Sequence, residues 1–205
     1  MSGLPPESER WQQRYAAPGY LFGTEPNAFL KSQAQLLPKR GSALAIADGE
    51  GRNGVFLAEQ GLDVLSVDFS PVGQEKARAL AKARGVTLRV VQADMTAWDW
   101  QPDTYDVIAG IFIQFAKPSE RAKIFAGITR SLKPGGLLLL EGYGLKQLQY
   151  KTGGPSEPER LYTREMLEES FGEFTSVEIR EYDATLKEGE HHVGMSALVD
   201  LVGRK

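Results

Sequence analysis

Apolar and polar positions along this chain alternate between two patterns. Short, mostly apolar runs at Ser42–Ala47, Asp63–Asp68, Thr87–Gln92, Tyr105–Ile111 and Leu137–Glu141 read as strands. Segments of helical period lie between them. One begins near Arg52 and closes at Gly61. The next runs to Arg84, with Ser70 as N-cap and Pro71 in the first helical position, and closes at Gly85. Pro118–Leu132 is closed by Lys133-Pro134-Gly135-Gly136, and Thr163–Ser170 is a further helix. Leu137–Leu140 is apolar on both faces, as a central parallel strand is. After Phe174 the alternation stops. Phe174–Leu186 and Val193–Val202 both read as strands, joined by Lys187–His192 with no helix between, so they form an antiparallel hairpin. The expected fold class is α/β: a doubly wound, mainly parallel sheet with helices on both faces and one reversed strand.

Composition narrows the function. With 205 residues the chain is expected to be one domain, residues 1–205, in which residues 1–30 precede the first strand as a lid segment. The hydrophobic share of 41% is enough for a core without staples. There is no cysteine, which excludes a disulfide framework, a thiolate metal site and a cysteine nucleophile. The two histidines, His191 and His192, are adjacent, so no multi-histidine metal site is expected. A net charge of −3 speaks against a nucleic-acid partner. The longest apolar run is too short to cross a membrane, and the polar, acidic N-terminus is not a signal peptide. A cytoplasmic location is expected; oligomeric state has no signature in the sequence.

Candidate chemistry begins at Gly49-Glu50-Gly51-Arg52-Asn53-Gly54, which spells G-x-G-x-x-G between a strand and a helix, with Asp68 ending the next strand. That pattern is a dinucleotide fingerprint. Its neighbours Asp48 and Glu50 are acidic, however. They would repel a pyrophosphate and suit a ligand with a cationic end. A nicotinamide-dependent oxidoreductase therefore stays open as an alternative, as does a non-catalytic binding protein.

At this point the chain resembles the class I S-adenosylmethionine (SAM)-dependent methyltransferases. The resemblance rests on A-I-A-D-G-E-G at 45–51, V-D-F-S at 67–70, Q-A-D-M at 92–95, Y-D-V-I at 105–108 and L-K-P-G-G at 132–136. Within the class the chain is most similar to the small tellurite-resistance-type enzymes. That likeness lies in W-Q-Q-R-Y-A at 11–16, Y-L-F-G-T-E-P-N-A-F-L at 20–30, the stretch 141–155 and E-G-E-H-H-V-G at 188–194.

The resemblance implies a seven-stranded sheet of order 3-2-1-4-5-7-6, its last strand antiparallel. It implies SAM as cofactor, S-adenosylhomocysteine as product and a small-molecule acceptor: a metabolite, a thiol or a chalcogen oxyanion such as tellurite. It implies that Ala47, Asp48, Gly49, Glu50, Gly51 and Asn53 wrap the methionine part, and that Asp68 binds the ribose with Phe69 beside the adenine. Asp94 then accepts from the adenine amino group, Met95 covers the ring, and Ile111 lies near the sulfonium. Ala45 departs from the pattern by replacing an acid, for which Asp48 or Glu50 would have to substitute. Ala47 departs by replacing a glycine, and a negative φ is expected there.

The acceptor should enter at the carboxyl ends of the strands, where Tyr20, Phe22, Phe112, Tyr143 and Tyr150 are candidate contacts. Trp98 and Trp100 are expected to pack under a loop. The hairpin turn lies on the same edge. Adjacent strand residues face opposite ways, so at most one of the two histidines points inward, and the resemblance favours His192 as base or hydrogen-bond partner.

Overall fold

A computed structural model describes residues 7–189 and 192–205. Strands β1 (Ser42–Ile46), β2 (Asp63–Asp68), β3 (Arg89–Gln92), β4 (Tyr105–Ile111), β5 (Leu132–Tyr143), β6 (Ser176–Glu188) and β7 (His192–Arg204) form one sheet in the order 3-2-1-4-5-7-6. β7 runs antiparallel to both its neighbours, and the other pairs are parallel. This is the expected Rossmann-like topology.

The central strands bury both faces because helices cover both. Leu138 and Leu140 point into a core with Phe125 and Ile128 of α5 (Pro118–Ser131) and Leu167 and Phe171 of α7 (Arg164–Phe171). Leu137 and Leu139 point the other way, to Phe56 and Leu57 of α3 (Arg52–Glu59) and Leu30 of α2 (Ala28–Ser32). Helix starts follow local chemistry. Ser70 Oγ accepts from the Gly73 amide at 3.1 Å to open α4 (Pro71–Ala83), and Thr163 accepts from Met166 to open α7. The Trp100 ring fills the space beside Gly127 of α5, so it packs under its loop as expected.

β3 and β6 each start two residues later than the sequence reading, and two other boundaries differ for reasons of long-range pairing. β5 continues through Lys133-Pro134-Gly135-Gly136, because the chain end pairs with it: the Gly135 amide donates to Lys205 and the Lys205 amide to Gly136. The hairpin is also longer than its apolar pattern, with Glu188 paired opposite His192. His191 lies outside the described residues.

β5 and β7 bring Glu141 opposite Asp200, both almost fully buried. Glu141 Oε2 and Asp200 Oδ1 have no hydrogen-bond partner. Burial, and then the neighbouring carboxylate, pushes Glu141 well above the usual range. Burial pushes Asp200 up to about 6, against the pull of Tyr182 and Arg180. The folded protein therefore holds protons that the unfolded chain releases, and stability falls as pH rises above about 4, through the Asp200 value of about 6 and on through that of Glu141. Glu141→Gln removes the repulsion and offers an amide N–H to the unpaired Asp200 oxygen. It is expected to stabilise by about 1–3 kcal/mol at pH 7 and by little near pH 4. Urea melts at the two pH values check this, and destabilisation at pH 7 would contradict it.

Candidate functional site

A cleft of about 480 Å³ opens at the carboxyl ends of β1, β2 and β4, where doubly wound sheets bind ligands. Its floor is the segment 47–50 with Arg52 and Asn53, and one wall is Asp68, Phe69, Ile111 and Phe112. Trp11 and Tyr15 of α1 (Glu7–Tyr15) and Phe22 close it from above, and Tyr143, Gly153, Gly154 and His192 complete the far side.

Several residues named from the sequence are brought together here, but their side chains have other duties. Asp48 accepts from the Gly54 amide at 3.1 Å and from Ser66 Oγ at 2.7 Å. Burial lifts it to about 7 against those two bonds. Glu50 accepts from the Leu21 amide at 2.6 Å and pairs with Lys76 at 2.8 Å. Lys76 also donates to the Ala17 and Gly19 carbonyls. Neither acid is free to replace the one missing at Ala45, which is itself core. The two carboxylates hold the loop and the N-terminal segment in place. Asn53 accepts from the Asn27 amide at 3.0 Å and so anchors the start of α2. Gly51 is not on the cleft wall: a side chain there would collide with Ala77 of α4, so this glycine serves close helix packing.

Ala47 has a φ of +47°, and Phe112 one of +56°. The negative φ expected at Ala47 is thus not what the turn adopts. Both residues directly follow a central strand and both line the cleft, so left-handed strain of about 1–3 kcal/mol each is concentrated where a ligand would sit.

Asp68 is 3% exposed; one oxygen accepts from the Gly49 amide at 2.9 Å and the other from Ser70 at 2.8 Å. A carboxylate has about four acceptor sites, so it can fix the loop and still receive ribose hydroxyls. Burial raises its pKa, against those backbone bonds. Tyr15, within the W-Q-Q-R-Y-A stretch of the N-terminal segment, is buried over the loop with its hydroxyl against Gly49.

Asp94 and Met95 do not line the cleft. Asp94 is exposed and accepts from the amide and hydroxyl of Thr96, and Met95 belongs to the core. Tyr20 donates to the Lys76 carbonyl behind the loop, and Tyr150 lies on α6 (Gln147–Tyr150) beneath Lys146. Neither is brought to the acceptor side of the cleft.

Phe22, Phe112 and Tyr143 are brought there, and with them His192. Its ring centroid is 4.3 Å from that of Phe22, 4.6 Å from Phe112 and 6.0 Å from Tyr143. Gln114 fixes Tyr143 by accepting from its amide at 2.6 Å and donating to its carbonyl at 2.9 Å. Burial lowers the His192 pKa, against the pull of Glu188, so the imidazole is neutral at pH 7. Behind it Arg52 and Glu188 form an ion pair of 2.6 Å, with both side chains under 10% exposed.

Residues 43–136 match a family profile described as a methyltransferase domain. That stretch carries the SAM-dependent methyltransferase domain type. The chain is 34% identical over 116 residues to a glycine/sarcosine N-methyltransferase of Halorhodospira halochloris, covering 52% of this chain and 42% of that one. It is 32% identical over 117 residues to a tRNA N(3)-methylcytidine methyltransferase of Drosophila melanogaster, covering 53% and 36%. The chain thus spans less than half the length of these curated relatives. Their named acceptors differ widely, so the matched region carries the domain type and not the acceptor. Among solved structures, TehB from Haemophilus influenzae superposes with a TM-score of 0.72 at 16% identity, covering 97% of this chain and 66% of that one. At that identity it shares the fold.

The cleft fits SAM as the domain's cofactor. Gly49 gives the close backbone approach, since any side chain there would meet Tyr15. Asp68 keeps acceptor sites for a ribose, and Phe69 supplies an apolar face beside it. Among the described residues no helix is long and apolar enough to cross a membrane, and no group of three His, Asp or Glu side chains forms a metal site.

Proposed function

We propose that the protein transfers a methyl group from SAM to a small-molecule acceptor. The carrying observation is contiguity: His192 and the rings of Phe22, Phe112 and Tyr143 share one cleft with the glycine loop and Asp68. When bound, SAM supplies an electrophilic methyl group for an in-line displacement, in which positioning does most of the work. In this reading the loop 47–50, Asp68 and Phe69 hold the cofactor. Asp94 and Met95 enter only if the adenine extends to the open edge beyond Phe69. Trp11 and Tyr15 act as the lid that keeps water out. Phe22, Phe112 and Tyr143 hold the acceptor, and neutral His192 takes its proton when the nucleophile arrives protonated.

The acceptor side is apolar within and carries Arg10 and Arg14 of α1 at its rim. That suits a compact acceptor with an anionic group. A chalcogen oxyanion or a thiol carboxylate has this character.

Cofactor choice is tested by thermal shift. SAM or S-adenosylhomocysteine at about 100 times its dissociation constant adds ~2.7 kcal/mol, a rise of roughly 5–10 °C for a chain of this size. NADH should give none. Stabilisation by NADH alone would sink the reading; an acceptor screen with labelled SAM follows a positive result.

A further inference from the structure

Glu188 has contacts to three different elements. It ends β6, and both its oxygens are occupied. Oε1 accepts from Asn27 Nδ2 at 3.0 Å and from the Ala28 amide at 3.1 Å. Oε2 accepts from Arg52 at 2.6 Å. The remaining face of Oε2 is turned to His192, whose Nδ1 lies 3.5 Å away. That separation is long for a hydrogen bond, and Nδ1 has no other partner.

We propose that Glu188 is the positioning residue of His192: it holds the proton on Nδ1 and leaves the Nε2 lone pair for the acceptor. This rests on the reading of His192 as the base. The argument is one of donors and acceptors. An ionised carboxylate only accepts, and a neutral imidazole has one N–H and one lone pair. A lone pair on Nδ1 would face the Glu188 oxygen in a dry site, which is repulsive, so the N–H is there. With Nδ1 turned to Glu188, the opposite edge of the ring is the one facing the cleft that His192 lines.

Glu188 stays ionised. Burial alone would push it up, but the imidazole edge and the Arg52 guanidinium outweigh burial and hold it at about 2. The rings of Phe22 and Phe112 pack against the imidazole, with centroids 4.3 and 4.6 Å away, and restrict its rotation. The charged groups acting on His192 are Glu188 of β6, Arg52 of α3 and Arg14 of α1. Only the first favours the imidazolium that forms when Nε2 takes a proton. The two cations keep the resting ring neutral.

The chain has two histidines, so His191→Asn leaves a single imidazole for nitrogen-15 NMR. In the protein without acceptor, the expected spectrum is that of the Nδ1–H tautomer. Glu188→Gln should give a mixed tautomer and lower the imidazole pKa by about one unit. Turnover should fall about 10–100-fold, the usual cost of removing an orienting carboxylate from a histidine, with the acceptor KM little changed. Asn27→Ala is the control. It removes another Glu188 contact and the α2 N-cap, so it loosens the same anchor while leaving the tautomer and the pKa as in the parent. An Nε2–H tautomer in the parent overturns the proposal. So does an unchanged pKa in Glu188→Gln, or an equal shift in Asn27→Ala. The spectrum is independent of catalysis: if the tautomer is as expected but His192→Ala keeps full turnover, the positioning stands and the assignment of His192 as base falls.

Discussion

Replacing His192 by alanine is expected to lower turnover about 10²–10⁴-fold while leaving SAM affinity nearly unchanged. The size of the effect follows from where the side chain sits. His192 is enclosed by Phe22, Phe112 and Tyr143 on the acceptor side of the cleft, away from Asp68 and the glycine loop. Its removal costs the proton acceptor and leaves the cofactor's contacts in place. Burial lowers the pKa of the imidazole, so the basic form should persist below pH 6.5, and the rate should rise through that acidic limb and level off by neutrality. Alanine at 192 should flatten the limb as well as lower the plateau. The measurement is turnover against pH with labelled SAM, beside a direct SAM titration of both proteins. A loss of SAM affinity equal to the loss of turnover would make His192 a cofactor contact. Full turnover with a flat profile would leave orientation alone to carry the reaction.

The fold was largely legible because its signals are local. A parallel strand covered on both faces must be apolar throughout, as Leu137–Leu140 is, and Ser70-Pro71 opens its helix with contacts three residues away. What was not legible depends on partners distant in sequence. Lys133-Pro134-Gly135-Gly136 reads as a stop until Lys205 arrives to pair with it. Asp48 and Glu50 read as free acids beside a ligand loop. Their partners, Ser66 and Lys76, lie 18 and 26 residues away, and no local pattern announces them.

The same distinction divides the site. Asp68 and Phe112 could be named from strand ends, because topology carries those ends to one edge, while Gly49, Ile111 and the choice of His192 over His191 came from the family resemblance. Glu188 could not. Its partners Asn27 and Arg52 are 161 and 136 residues away, and its hairpin pattern lost its apolar signal at Leu186, two residues too early. Tyr20 and Tyr150 failed for the opposite reason: each is close in sequence to cleft residues, but its side chain points behind the wall. Ala47 was misjudged because a β-branch-free residue at a strand end was allowed its usual φ. The turn instead imposes a left-handed one, and the loop is held to it by Asp48 and Asp68.

Arg52→Leu is expected to be the most destabilising single change around the cleft. The guanidinium is the cation of a pair in which both side chains are under 10% exposed, and it also donates to the Phe22 carbonyl at 3.3 Å. Leucine leaves Glu188 buried with a charge that only neutral donors attend. Breaking a buried pair from one side costs about 3–5 kcal/mol, or roughly 6–20 °C in Tm for a chain of this size. The pKa of Glu188 sets an upper bound of similar size, shared between His192, Arg52 and the Ala28 amide. It is lowered from 4.5 to about 2, and at 1.36 kcal/mol per unit that is about 3 kcal/mol. The sign fixes the pH window. A depressed carboxyl pKa contributes stability that is complete above about 4.5 and is lost as pH falls toward 2, so the gap between the two proteins should be widest at neutral pH and narrow below pH 4. Adding Glu188→Leu to Arg52→Leu removes the stranded charge and should recover a good part of the loss, because an apolar pair of similar volume often matches a buried ion pair. Urea melts of the single and double variants at pH 7 and pH 3.5 decide it. A single-variant loss under 1 kcal/mol at pH 7, or one that does not change with pH, would mean that water reaches Glu188 and that the pair does not bind the hairpin to α3.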